Sequence, residues 1–137
     1  MKTTAIVVLM LFAGSAFGQW QSDLKAAIKE ASATDKKVLL YFTGGEDCEN
    51  CIQLQQQVLE TTEFLAYARE HFVLVRQDFL SKENLEENLL IVEKYNKDGF
   101  FPLVVIIGGN AKRIGQIGVY QNETPGQYID KLRALAH

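Results

Sequence analysis

Three short apolar runs govern what this chain can fold into: Val38-Leu39-Leu40-Tyr41-Phe42, Phe72-Val73-Leu74-Val75 and Leu103-Val104-Val105-Ile106-Ile107. Each is unbroken rather than alternating, the pattern of strands covered on both faces of a sheet. The stretches between them read as helices. Leu24, Ala27, Ile28 and Ala31 repeat at three- and four-residue spacing from Leu24 to about Ala33, behind a capping Ser22 or Asp23. Ile52, Leu54, Val58 and Leu59 carry a second helix, with Gln53, Gln55, Gln56 and Gln57 on its solvated side. Thr61-Thr62-Glu63 restarts the pattern and turns Phe64, Leu65, Tyr67 and Ala68 inward. Asn84 to Lys97 is predicted helical, with Leu85, Leu89, Val92 and Tyr95 on its apolar face, and Asp98-Gly99 ends it. The last helix, about Pro125 to Ala136, starts with proline in its first turn and buries Tyr128, Ile129, Leu132 and Leu135. Gly108-Gly109-Asn110 is too short for anything but a hairpin, so Lys112 to Val119 pairs antiparallel with the third run. Strands separated by helices pair in parallel through right-handed crossovers. The expectation is an α/β fold: a mixed sheet of about four strands with helices on both faces.

The N-terminus is of another kind. Lys2 precedes the apolar core Ala5-Ile6-Val7-Val8-Leu9-Met10-Leu11-Phe12, and the small residues Ala13, Gly14, Ser15, Ala16 and Gly18 follow. That is the pattern of a cleaved secretory signal, too short to span a membrane comfortably. Cleavage after Ala16 or Gly18 fits, giving a signal over 1–18 and one domain over 19–137, free of repeats and linkers. An exported domain, in a bacterial periplasm, would meet an oxidising environment. The formal charge of −3 comes without a basic block, which excludes nucleic acid as a partner.

Cys48 and Cys51 are the only cysteines, and they sit between the first strand and the second helix as Cys48-Glu49-Asn50-Cys51. At the head of a helix this spacing puts two sulfurs on one face, a turn apart and within disulfide range. Cys48 lies near the helix's positive end, which favours its thiolate. Such a pair opens and closes with little backbone movement, as two-electron thiol–disulfide exchange requires. Two plainer uses stand beside that one. A disulfide kept only as a staple would remove little unfolded-state entropy across so short a loop. Structural zinc needs four ligands, and His71 and His137 have no metal-ligand spacing to the pair, so no metal and no cofactor is expected. His71 reads as a surface residue at a helix end, and Trp20 as a packing anchor.

The set Lys37-Val38-Leu39-Leu40-Tyr41-Phe42-Thr43-Gly44, then Cys48-Glu49-Asn50-Cys51, then Phe72-Val73-Leu74-Val75 running to Asp78, then Phe101-Pro102 before a strand and hairpin, resembles the thioredoxin-like superfamily and its small exported members. The resemblance covers nearly the whole chain after the signal. It implies a thiol–disulfide oxidoreductase in which Cys48 attacks a client disulfide and Cys51 resolves the mixed disulfide. It implies a cis proline at Pro102, with the Phe101 backbone turned toward the cysteines to pair with an extended client. Partners would be thiol- or disulfide-bearing proteins and an upstream redox partner, and the chain would be a monomer. Three positions depart from the family. Asp47 stands where a tryptophan is usual, Ile52 replaces a basic residue, and Tyr41 or Phe42 falls where thioredoxin itself buries an acid. Glu46, Asp47 and Glu49 oppose the helix end and disfavour the Cys48 thiolate, so the pair is predicted to lean toward the reducing side. A thioredoxin-fold binding module with an inert disulfide and a copper(I)-handling thiol protein are the alternatives.

Overall fold

The computed structural model describes residues 19–78 and 82–136. The predicted signal over 1–18, with both cleavage points, and His137 lie outside the described residues. In chain order the elements are β1 (Trp20–Gln21), α1 (Leu24–Ala33), β2 (Lys37–Thr43), α2 (Glu49–Leu54), α3 (Thr62–His71), β3 (Phe72–Asp78), α4 (Leu85–Tyr95), β4 (Leu103–Ile107), β5 (Arg113–Ile117) and α5 (Pro125–Leu135). Five strands form one sheet in the order β1-β3-β2-β4-β5. β2 and β3 are parallel, from Lys37 opposite Phe72 to Thr43 opposite Asp78. β4 runs antiparallel to β2, and β5 antiparallel to β4. The mixed sheet is the expected one with one strand added. That strand is β1, two residues long, which pairs Trp20 opposite Leu74 and sets the indole edge-on to Tyr41 with ring centroids 6.1 Å apart.

Strand alternation divides the core. Leu39, Tyr41, Leu74, Val104 and Ile106 pack with Leu54, Val58, Phe64, Tyr128 and Leu132 of the helices on one face. Val38, Leu40, Phe42, Val75, Val105 and Ile107 pack with Leu24, Ala27, Ala31 and Tyr95 on the other. Each valine, leucine, isoleucine or phenylalanine among them, fully buried, contributes about 1.5–3 kcal/mol, so the three central runs are apolar throughout. Caps set the helix starts. Asp23, not Ser22, accepts the Ala26 N–H at 3.1 Å, and Thr61 accepts that of Phe64 at 3.3 Å. Thr124 and Gln127 form a reciprocal capping box ahead of α5.

The apolar face of α4 is not the one expected. Leu85 and Leu89 are 50% and 51% exposed, while Ile91, Val92 and Tyr95 meet the core. The cause is Gln77, a buried amide on β3 whose Nε2 donates to Asn88 Oδ1 at 2.5 Å. Satisfying it turns the Asn88-Ile91-Val92-Tyr95 stripe toward the sheet and rotates the two leucines outward. His71 is exposed as expected, its ring 4.5 Å from that of Tyr67.

Candidate active site

β2 ends at Thr43, and Gly44 with a single tight turn, Gly45–Asp47, hands the chain to α2. Cys48 caps that helix: its Sγ accepts the Cys51 N–H at 3.3 Å, the role an oxygen plays at most helix starts. α2 then widens into one π-helical turn, Gln55–Leu59, before α3 begins. Cys48 and Cys51 are joined by a disulfide, S–S 2.07 Å with Cα atoms 5.2 Å apart. Their environments differ. Cys48 is half-buried, whereas Cys51 has 0% exposure. The Gly44 N–H donates to Cys51 Sγ at 3.4 Å, so each sulfur already holds one backbone donor. A donor of this kind favours a thiolate when the bond opens.

The second wall of the site comes from the far end of the chain. The Phe101–Pro102 peptide is cis. Asn96, buried after α4, fixes the approach to it: its Nδ2 donates to the Phe100 carbonyl at 2.9 Å and its Oδ1 accepts the Phe100 N–H at 3.0 Å. Gly99, with φ of +69°, supplies the left-handed residue that this loop needs. A Cβ built on Gly44 would stand 3.1 Å from Cys48 Cβ, 3.7 Å from Cys48 Sγ and 3.6 Å from Phe101 Cβ. Gly44 is therefore the floor of the site, and Cys48 and Phe101 both stand against it. All four residues singled out in the sequence, Cys48, Cys51, Phe101 and Pro102, fall in this one neighbourhood.

The surroundings are acidic and apolar. Glu46, Asp47, Glu49 and Asn50 are exposed beside Cys48, and Ile52 is an exposed apolar side chain one residue past Cys51. Beneath the pair, strand register decides which residue replaces a buried acid. Tyr41 lies on the face that carries the cysteine helix, and Phe42 on the other. The Tyr41 hydroxyl donates to the Cys51 carbonyl at 3.2 Å. Burial pushes this phenol above its ordinary range, while the Thr43 hydroxyl and Arg76 hold it back.

Three contributors escaped sequence reasoning: Gly44 as the floor, Asn96 as the clamp, and the Tyr41 hydroxyl. For Asn96 the only signal was a lone asparagine ahead of Lys97-Asp98-Gly99, which marks a turn but not its hydrogen bonds.

Residues 19–109 match the thioredoxin-like family model. The chain is 29% identical over 121 residues to the disulfide bond reductase DsbH of Chlamydia pneumoniae, covering 85% of this chain and 71% of that protein. It is 25% identical over 117 residues to the thioredoxin-related protein DsbJ of Chlamydia pneumoniae, 82% of this chain but only 34% of that one. A solved structure of a DsbH oxidoreductase superimposes with a TM-score of 0.75 at 29% identity, covering 86% of this chain and 83% of the other. The family match spans well over half of the chain, and the relatives share its fold along most of their common length, so the chain belongs to the thioredoxin-like family, as one of its thiol–disulfide oxidoreductases.

Proposed function

We propose that the chain reduces disulfides in client proteins outside the cytosol, with Cys48 as the attacking sulfur and Cys51 as the resolving one. The observation that carries this reading is the asymmetry of the pair: one sulfur half-buried at a helix head, the other sealed beneath it. In the reduced protein the Cys48 thiolate attacks one sulfur of a client disulfide. A Cys48–client bond forms, the client's own S–S bond breaks, and its departing thiolate takes a proton from solvent. Cys51 then loses its proton and attacks Cys48 Sγ. The mixed disulfide breaks, the second client sulfur leaves, and the chain is left with the Cys48–Cys51 bond. Two electrons have passed to the client, and an upstream dithiol donor must return them.

The Phe101–Pro102 segment is where an extended client chain would lie, beside Cys48 and Gly44. Two features support the reducing direction. Glu46, Asp47 and Glu49 crowd the attacking sulfur with negative charge, which disfavours its thiolate and so the dithiol form. A relative matched over most of its length is named a disulfide bond reductase. Export rests on the apolar segment and small residues within 1–18. Among the described residues no helix is long and apolar enough to cross a membrane.

Insulin reduction in the presence of a small dithiol tests the activity: the wild type accelerates it and Cys48→Ser does not. A Cys51→Ala protein should hold a client as a mixed disulfide through Cys48. An equilibrium potential near the strongly oxidising end, about −120 mV, would refute the reducing direction. Failure of alkylating reagents to reach Cys48 in the reduced folded protein would refute its role as the attacking group.

A further inference from the structure

Each of the two sulfurs has its own backbone donor, and the two donors come from different places. Cys48 Sγ accepts the Cys51 N–H at 3.3 Å, from the helix that Cys48 caps. Cys51 Sγ accepts the Gly44 N–H at 3.4 Å, from the residue that follows β2. The resolving step needs the second of these. Cys51 has 0% exposure, and burial holds a thiol in its protonated form, yet this thiol must ionise to attack. A sulfur sealed from solvent cannot draw on hydration, and an N–H already aimed at it takes that part. The carboxylates Glu46, Asp47 and Glu49 lie exposed in the turn and at the head of α2, where their charge opposes a thiolate.

The aim of the Gly44 N–H does not depend on the disulfide. Thr43 is 2% exposed, and its Oγ1 accepts the Gly45 N–H at 3.2 Å. The Cys48 N–H donates to the Gly45 carbonyl at 3.2 Å and closes the turn onto α2. On the cysteine side, the Tyr41 hydroxyl holds the Cys51 carbonyl at 3.2 Å, and the Thr43 hydroxyl also faces that phenol. Backbone and hydroxyl groups make all of these bonds, so opening the S–S bond breaks none of them.

We propose that the Gly44 amide is a catalytic group of the resolving step, holding the Cys51 thiolate as it attacks Cys48 Sγ, and that Thr43 is the positioning residue that keeps this amide aimed. The proposal deepens the redox reading above and rests on it. The Cys51 proton passes to buffer, the sulfur's electron pair forms the bond to Cys48 Sγ, and the Cys48–client bond breaks. The client sulfur leaves with the electron pair of that bond and takes a proton from solvent, so charge and electrons balance.

Translation with glycolic acid in place of Gly44 exchanges the N–H for an ester oxygen and adds no bulk. The reduced protein is mixed in stopped flow with an aromatic disulfide that releases a coloured thiolate, at concentrations where resolution is slower than attack. Attack by Cys48 releases the first equivalent, and resolution by Cys51 the second. Losing one donor to an ionised sulfur moves the pH midpoint of the second phase up by about one unit. The thiolate fraction then falls about tenfold near neutral pH, while each thiolate becomes about threefold more nucleophilic. The second phase should therefore run about threefold slower than the wild type at neutral pH and about threefold faster in alkali, so that the two pH profiles cross. The first phase should not change. Thr43→Val should show the same crossing by a smaller factor, and Thr43→Ser should restore the wild-type profile. This pair decides the matter if the ester protein does not fold. A second phase unchanged at every pH would overturn the proposal. So would slowing by one factor at every pH, which marks a distorted turn and not a lost donor. Absence of the first phase in the wild type would bring down the redox reading itself, and this proposal with it.

Discussion

Gly44→Ala tests the geometry of the site directly. The added methyl would stand 3.1 Å from Cys48 Cβ, where carbon atoms rest at about 3.5–4.0 Å, so something must yield by a few tenths of an ångström. Nothing nearby gives way easily. Cys48 Cβ belongs to a ring closed by the disulfide and capped onto α2, and Phe101 Cβ would stand 3.6 Å from the same methyl. Backbone conformation is not at issue, because the φ of Gly44 is −84°. The loop itself must shift, and overpacking of this kind costs about 1–3 kcal/mol. The displacement falls on the attacking sulfur and on the wall where a client would lie, so the rate with a protein disulfide should drop by about tenfold. Gly118→Ala is the control: a Cβ there meets nothing within 4 Å. Denaturant unfolding and insulin reduction, run on both variants, are the assays. If Gly44→Ala matched Gly118→Ala in both, Cys48 and Phe101 would not flank Gly44 as described, and the client groove would have to be placed elsewhere.

Neutralising the acidic collar with Glu46→Gln, Asp47→Asn and Glu49→Gln should stabilise the Cys48 thiolate, and with it the dithiol form. The equilibrium potential against glutathione should rise by about 20–40 mV, and a fall would reverse the reading of the collar. Glu123 is 7% exposed and ion-paired with Lys131, whose side chain is 44% exposed. Burial alone would raise this carboxyl, but Lys131 and the backbone N–H groups outweigh it and hold it below its ordinary value. Its stabilisation is therefore complete above the unfolded-state pKa and is lost as pH falls through the lower folded value. Glu123→Gln should cost about 1–2 kcal/mol at neutral pH and almost nothing in strong acid, as measured by denaturant unfolding at both. Tyr128→Phe should be neutral or stabilising by up to about 1 kcal/mol, because the Tyr128 hydroxyl is buried with no hydrogen-bond partner among the described residues. A loss of more than that in the same unfolding measurement would reveal a partner.

What could be read in advance, and what could not, divides along a physical line. The strands were legible because Val38–Phe42, Phe72–Val75 and Leu103–Ile107 are apolar on both faces, and no other element of this length needs that. The cysteine pair was legible because both sulfurs come from one helical turn. α4 misled because its leucines compete with a stripe begun by a polar residue, Asn88, which faces the sheet only because Gln77 needs its amide. That need arises from tertiary packing and leaves no periodic trace. β1 was missed because two residues carry no pattern at all.

Tyr41 shows how much a single step of register decides. Neighbouring residues of a strand point to opposite faces, so Tyr41 and Phe42 were equivalent candidates until β2 was paired. With Tyr41 opposite Arg76 on β3 and under the edge of Trp20 from β1, the phenol is committed to the cysteine side and Phe42 to the other. Had the strand slipped by one residue, a hydrocarbon ring would lie under Cys51, with no hydroxyl on its carbonyl. The hydrogen bond on the Cys51 carbonyl thus has behind it a contact at the sheet's far edge, made by its shortest strand. Truncating Trp20 to alanine should therefore loosen Tyr41 and lower the midpoint of denaturant unfolding while leaving Cys48 open to alkylation in the reduced folded protein, and an unchanged midpoint would refute the dependence on this edge.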